Sequence, residues 1–321
     1  MTLPPPPEPV DVAVLIVSWN TRALLAECLD ALAAQETVLP AASLLRPLSV
    51  QTIVVDNASS DGSAAMAQAR FPQVHVMALD ENIGFVRGSN RAYAAAPPAK
   101  YVLLLNPDAV LCPGALGAMA AFLDAHPRAG ACGPLTLNPD GTLQLSWSRF
   151  PSVASELWTG HDRRFAGEAR PPDLSLPALR GRADAPCVDW ASGACLLVRR
   201  AALDGDLGGV LFDPAFQMYS EETDLCRRLW QRGWTTHLVP QAEAVHYYGQ
   251  SSRQAPARTL RLLYRSKYLF FRKHYGWGRT LLLKLAVAAT YGAKWALFAV
   301  LGRREQQGRQ WAVLQSLGAR P

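Results

Sequence analysis

Acidic residues close apolar runs at several points along this chain, and each carboxylate so placed has a chemistry open to it. Asp56 ends the run Val50–Val55 and begins a turn rich in Ser, Asn and Gly. A carboxylate there accepts the imide N–H of uracil or thymine, or the paired N–H groups of guanine; adenine and cytosine lack that donor. It is equally at home as a turn residue, and Asp61, just before Gly62, reads as a plain Asx turn. Asp108 follows an apolar run and the step Asn106-Pro107. The proline fixes the turn, and the projecting carboxylate can hold a hard divalent cation whose shell phosphate and water complete. Turn stabilisation is the other reading.

Ser220-Glu221-Glu222-Thr223-Asp224 opens a helix. Three acids in a first turn behind a Ser cap are what the helix dipole favours without any catalysis. Phe212-Asp213 and Met218-Tyr219 just upstream suggest more. Apolar and aromatic neighbours desolvate a carboxylate and raise its pKa toward that of a working base. His246 ends a short strand, either as a satisfied structural histidine or as an imidazole ligand to the same metal.

The elements that must position these residues alternate along the chain. Near-continuous apolar runs predict buried strands at Val10–Val17, Val50–Val55, Val74–Leu79 and Tyr101–Leu105. Between them lie helices. Leu24, Leu25, Cys28, Leu29 and Leu32 form one apolar stripe behind Thr21 as a candidate cap. Residues 63–70, 84–96 and 113–126 predict three more helices. Residues 150–186, rich in Pro, Arg, Asp and Gly, predict a loop over the site or an acceptor-side insertion. Regular structure resumes at 187–199, followed by a helix over 221–232 and two short strands at 235–239 and 242–247. Strand and helix alternating, with polar residues at strand C-terminal ends, is the pattern of an open α/β sheet with its site along that edge.

Composition narrows the classes. The 321 residues are 50% hydrophobic and 18% charged, which excludes a disordered or fibrous chain. Six cysteines without a Cys-x-x-Cys pair argue against a zinc site or disulfide framework and suggest a reducing compartment. The Pro-rich start lacks a basic-then-apolar signal, so no export sequence is expected. Residues 1–245 carry 18 Lys and Arg against 25 Asp and Glu, a balance of −7; residues 246–321 carry 14 against one, a balance of +13. Front and tail are different physical objects.

Taken in order, the motifs are far more specific than any one of them. They run Val14-Leu15-Ile16-Val17-Ser18-Trp19-Asn20, Val54-Val55-Asp56-Asn57-Ala58-Ser59-Ser60-Asp61-Gly62, Asn82-Ile83-Gly84-Phe85 with Asn90, and Leu105-Asn106-Pro107-Asp108. Then come Ser192-Gly193-Ala194, Phe212-Asp213, Tyr219-Ser220-Glu221-Glu222-Thr223-Asp224-Leu225, Gly233-Trp234 and His246. Over residues 10–250 this resembles family 2 of the inverting glycosyltransferases, most closely its rhamnosyltransferase-like branch.

The resemblance implies a GT-A fold, a Rossmann-like mixed α/β sheet flanked by helices, with a nucleotide-sugar half (10–135) and an acceptor half (136–250). It places Ser18, Asn20 and Asp56 at the nucleoside of a thymidine- or uridine-type donor, with Asn82, Gly84, Asn90 and Asn106 as further donor-binding positions. Asn106-Pro107-Asp108 becomes a variant of the family's Asp-x-Asp motif, its first acid replaced by Asn. Asp108 then holds Mg²⁺ or Mn²⁺, with His246 completing the metal or diphosphate site. The family's Glu-Asp pair falls on Glu221-Glu222, making Glu222 the base, one methylene longer than the usual Asp, with Asp224 following.

Rival classes lack their signatures. A sugar-phosphate nucleotidyltransferase usually shows a Gly-rich basic loop after the first strand, where this chain has Ser-Trp-Asn-Thr-Arg; a nicotinamide dehydrogenase needs GxGxxG. A non-catalytic nucleotide-sugar-binding protein would share the whole pattern.

The tail, 251–321, interleaves Arg258, Arg261, Arg265, Lys267, Arg272 and Lys273 with Leu and aromatic residues, and Leu281–Leu301 is apolar except for Lys284 and Lys294. The stretch is long enough to span a bilayer, but a lysine near mid-bilayer costs roughly 3 kcal/mol. Basic amphipathic helices lying in the headgroup zone fit better than nucleic-acid binding; core helices or an oligomer interface are the plainer alternative. The expectation is a peripheral or monotopic protein on the cytoplasmic face of the membrane, acting on a lipid-linked glycan acceptor.

Overall fold

The computed structural model describes residues 9–35, 47–158, 175–205, 207–247 and 256–318. β1 (Val10–Ser18), α1 (Arg22–Gln35), β2 (Val50–Asp56), α2 (Ser63–Arg70), β3 (His75–Ala78), α3 (Phe85–Ala95) and β4 (Ala99–Leu105) build a parallel half-sheet in the order β3-β2-β1-β4. β1 is apolar on both parities because both faces are covered. Val12, Val14 and Ile16 join one buried cluster with Leu25, Leu29 and Met66; Ala13, Leu15 and Val17 join the other with Val86 and Tyr93. Gly88 lets α3 lie close on β1, since a Cβ there would come within 2.9 Å of Val17 Cγ1.

Beyond β4 the strand direction reverses. β5 (Ala109–Leu111), α4 (Ala115–Ala125) and β6 (Ala129–Leu137) come next, then the short β7 (Leu143–Gln144), β8 (Trp147–Ser148), α5 (Val153–Trp158), α6 (Leu176–Arg180), β9 (Cys187–Val188) and β10 (Trp190–Ala191). β11 (Cys195–Arg199) runs antiparallel between β4 and β6. After α7 (Arg200–Leu203) and α8 (Glu221–Gln231), β12 (Thr235–His246) pairs in parallel with β6 and antiparallel with β5. The result is a mixed sheet with helices on both faces.

Several expectations change in detail. Thr21 stands at the start of α1, but its hydroxyl pairs with Ser18 Oγ at 2.9 Å, and the Arg22 N–H donates to Asp61 Oδ2 at 2.8 Å instead. The two strands expected at 235–239 and 242–247 are one strand, β12, which crosses Pro240 by a register shift between Val239 and Glu243. The stretch 187–199 is three short strands. β6 has no counterpart in the sequence expectations: it is wholly buried, yet its Gly130, Gly133 and Pro134 are poor strand formers. Of the expected 150–186 loop, α5 and α6 are described, and 159–174 lies outside the described residues.

The packed unit also continues past the expected boundary at residue 250. α9 (Pro256–Val300) is two helices joined at Gly276, whose φ of 81° lies outside the helical region. In its first half Tyr264, Tyr268, Phe270 and Phe271 sit in the same buried cluster as Phe212, Phe216 and Leu225. Lys267 pairs with Glu156, and Ser266 Oγ donates to Met218 O at 2.7 Å. α10 (Arg304–Gln315) folds back on α9, and Lys284 turns inward to donate to Leu317 O at 2.9 Å, away from any headgroup layer.

Phe271→Ala should therefore destabilise the whole unit by about 3–5 kcal/mol, and a chain cut after Ser252 should lose cooperative unfolding. Urea titration followed by circular dichroism reads both. An unchanged midpoint for Phe271→Ala would show that the first half of α9 is no part of the core.

Candidate active site

Parallel pairing delivers strand ends to one edge. Ser18 stands opposite Asp56 in the β1–β2 register, and the Asn57 N–H donates to Ser18 O at 2.8 Å. Ser18 is fully buried, a floor to the edge with its hydroxyl held by Thr21. Asp56 accepts the Ser59 N–H on Oδ2 at 3.0 Å, while its buried Oδ1 has no partner among the described residues. Buried polar atoms are almost always satisfied, so this oxygen is one a ligand N–H would complete.

The neighbouring loops are laced together. Asn20 donates its N–H to Ser59 Oγ at 2.9 Å and accepts the Ser60 N–H on Oδ1 at 2.8 Å. Asp61 accepts the Ser63 N–H at 3.0 Å as the Asx turn expected of it. Asn57 donates to Asn82 Oδ1 at 2.9 Å and accepts the Ile83 N–H at 2.8 Å; Asn82 Oδ1 also accepts the Gly84 N–H at 3.0 Å. Gly84, with φ 84°, enters α3 in a conformation that needs glycine. Both ends of the Asn90 amide are committed to the Phe212 backbone, at 2.9 and 2.8 Å, so it ties α3 to the later half of the chain.

Asn106 and Asp108 follow β4. The Asn106 N–H donates to Ala194 O at 2.9 Å, extending the antiparallel ladder into the loop before β11. Asp108 Oδ1 lies 3.3 Å from His246 Nε2, a meeting the sheet arranges by pairing β5 with β12. His246 Nδ1 contacts Gln144 Oε1 at 2.6 Å, and Gln144 donates its own amide to His246 O and Asn138 Oδ1. That network orients the Gln144 amide, so Nδ1 donates to it and Nε2 is the ring atom left facing Asp108. An imidazole nitrogen and a carboxylate oxygen so placed can share a proton or a cation. A divalent cation with phosphate and water oxygens fits that pair. Among the described residues no set of three His, Cys, Asp or Glu side chains forms a metal cluster, so any cation would take most of its shell from elsewhere.

The three acids of α8 meet three different fates. Asp224 is fully buried and saturated: Arg228 Nε at 2.8 Å, Lys273 Nζ at 2.9 Å and His274 Nε2 at 2.7 Å. Burial alone would raise its pKa; the His274 hydrogen bond and the two cations overcome that and hold the carboxyl below its ordinary value. Glu221 and Glu222 each keep a buried oxygen, Oε2, with no partner among the described residues. Burial pushes the Glu222 pKa up to about 7, and burial plus the neighbouring Glu222 charge pushes Glu221 well above the usual range. Gly193 faces this pair, for a Cβ there would lie 3.4 Å from Glu222 Cβ. Ser220 holds the cap position with φ 63° and makes no side-chain cap, contrary to expectation. Asn20, Ala58, Tyr219 and Ser220 are the non-glycine residues with positive φ among those described, and all lie in these loops. Strain of this kind gathers at working sites.

Sequence reasoning missed Gln144, which orients His246, and Lys273 and His274, which reach Asp224. The Lys273-His274 step, one residue past Phe270-Phe271, was a signal, since apolar residues there imply a buried base beside them.

The model of the family described as "Glycosyl transferase family 2" matches residues 13–181. The N-acetylglucosaminyl-diphospho-decaprenol L-rhamnosyltransferase of Mycobacterium tuberculosis is 35% identical over 258 residues, 76% of this chain and 82% of that protein. Among solved structures, the mannosyltransferase PcManGT from Pyrobaculum calidifontis, in complex with GDP-Man and Mn2+, has a TM-score of 0.52 at 16% identity. It covers 98% of this chain and 88% of its own. Staphylococcus aureus TarS 1-349 in complex with UDP-GlcNAc has a TM-score of 0.50 at 14% identity, covering 95% and 91%. The fold is that of GT-A glycosyltransferases.

A carboxyl whose pKa is raised on folding favours the folded state while protonated and opposes it once ionised. Stability from Glu222 is thus present at acid pH and lost as pH rises through about 7. Glu222→Gln should unfold later than the parent at about pH 8, by up to about 3 kcal/mol, and the gain should vanish near pH 4. Melting curves at the two pH values check this; a loss of stability at pH 8 would contradict the raised pKa.

Proposed function

The chain belongs to glycosyl transferase family 2 and is a glycosyltransferase, and from that premise we propose that it moves a rhamnosyl unit, with inversion, from a thymidine- or uridine-diphosphate sugar to a lipid-linked glycan. The setting is bacterial surface-polysaccharide synthesis. The relative that matches over most of its length carries both the sugar and the lipid carrier in its name. The observation that carries the chemistry is Glu222: a carboxyl pushed up to about 7, with a buried oxygen that no group among the described residues occupies.

In this reading the donor lies along the edge where β1, β2 and β4 end, within the nucleotide-sugar half, 10–135. Asp56 Oδ1 accepts the base imide N–H. Asn20, Asn82 and Gly84 shape the nucleoside pocket through the loops they pin, and Asn90 acts at one remove by fixing Phe212. Asp108 and His246, with Asn106 beside them, would hold Mg²⁺ or Mn²⁺, which when bound supplies positive charge to the departing diphosphate. In the acceptor half, from 136 onward, Glu222 takes the proton of the acceptor hydroxyl as that oxygen attacks the anomeric carbon from the face opposite the diphosphate. One base suffices for direct displacement; retention through a glycosyl-enzyme needs a nucleophile. Glu221, held neutral at a higher pKa, keeps a second negative charge away from Glu222.

Membrane attachment follows from the second half of α9. Trp277, Leu281, Leu282, Leu285, Leu297 and Val300 are exposed, and Arg272 stacks on Trp277 at 3.4 Å. Among the described residues one helix, Ala257–Val300, is long and apolar enough to cross a membrane. The kink at Gly276 and the anchoring of its first half favour a helix lying on the cytoplasmic surface.

Glu222→Gln should abolish transfer, at least about a thousand-fold, while nucleotide-sugar binding by calorimetry survives. Normal turnover would move the role to Glu221. EDTA should stop transfer and Mn²⁺ restore it; indifference to both would remove Asp108 and His246 as metal ligands. Full-length protein should sediment with anionic liposomes at low salt, and Leu281→Glu with Leu285→Glu should release it. Protein that stays in the supernatant would refute the surface helix.

A further inference from the structure

Glu222 stands in the first turn of α8, where the Asp224 N–H donates to Ser220 O at 2.8 Å. The residues before it, Tyr219 and Ser220, have φ of 70° and 63°, and no side chain caps the helix. What fixes it is Asp224, one residue beyond Thr223, whose carboxylate is fully buried and accepts from groups outside its own turn. Arg228 Nε reaches Oδ2 at 2.8 Å from the next turn of α8, and His274 Nε2 and Lys273 Nζ reach Oδ1 at 2.7 and 2.9 Å from α9. Lys273 also bridges to Asp213 Oδ2 at 2.6 Å, while Arg228 donates to Leu211 O at 2.9 Å and Asn90 holds the Phe212 backbone between them. One connected frame thus runs from α3 through 211–213 and α9 to the base helix.

We propose that Lys273 and His274 are positioning residues for transfer, acting through Asp224 to hold the Glu222 turn in place, so that the start of the C-terminal helix pair belongs to the catalytic apparatus. The inference rests on Glu222 being the base. Charge and hydrogen bonding have separable parts. Lys273 supplies a cation shared between two carboxylates, which Arg can supply and Met cannot. His274 supplies one N–H to a buried oxygen, which Gln can supply and Ala cannot.

The test uses the full-length protein in Lys273→Met, Lys273→Arg, His274→Ala and His274→Gln forms, with Glu222→Gln alongside. Lys273→Met and His274→Ala should lower kcat at least about ten-fold with donor KM and nucleotide-sugar affinity within about two-fold. Lys273→Arg and His274→Gln should recover much of the loss. Amide hydrogen exchange at residues 221–226 should quicken in the two damaging variants and stay slow in the two conservative ones, a reading that needs no turnover. Parental kcat in Lys273→Met and His274→Ala would overturn the proposal. So would a loss of donor affinity parallel to the loss of kcat, which is the mark of general unfolding. An active Glu222→Gln would instead overturn the base assignment on which the proposal stands.

Discussion

The reversal of strand direction between β4 and β11 is the constraint on which the rest of the site depends. In a purely parallel sheet the edge would receive only strand C-termini. Because β11 runs the other way, with Cys195 opposite Leu105, its entry loop lies at that edge too. The Asn106 N–H to Ala194 O bond carries the ladder one step into both loops. The Asn106-Pro107-Asp108 tripeptide and the loop facing Glu222 are therefore held together by main-chain hydrogen bonds. Side chains could be exchanged there without losing the approach.

The acids of the site divide according to what surrounds them. Asp224 is buried with three donors and remains charged. Glu221, buried, and Glu222, half-buried with one oxygen enclosed, lack enough donors and are pushed toward neutrality. Sequence neighbours in one helical turn thus have opposite electrostatics, because a turn of helix points its side chains in different directions. A folded protein tolerates two undercoordinated carboxyls only if the scaffold beneath is rigid. Here α3, the 211–213 segment and α9 all brace it.

Much of this was legible in the chain. The doubly covered strands β1, β2 and β4 announced themselves as largely apolar runs, and the polar residues that ended them marked the edge. Asp61 was an Asx turn, as its place before Gly62 suggested. β6 was hidden because Gly130, Gly133 and Pro134 are no sign of a strand; its burial is imposed by β11 and β12 on either side. The two strands expected over 235–247 are one because pairing with β6 absorbs Pro240 as a shift of register. The partner of Asp224 could not be read from the α8 motif, since His274 is far along the chain and only the fold makes them neighbours. Lys284 read as a lipid-facing cation for a similar reason: the return of α10 over it is a tertiary fact.

The packing of Tyr264, Tyr268, Phe270 and Phe271 into the core has a consequence for lineage and for protein engineering. A membrane anchor joined by a bare linker can be traded between enzymes like a plug. Here the first turns of α9, the helix proposed above to attach the protein, are interior walls of the enzyme, and the break at Gly276 comes only afterwards. Any graft that exchanges attachment must cut at Gly276 or later; a cut before Pro256 would carry away part of the host's own interior. Variation among relatives should accordingly be freer beyond the kink than before it.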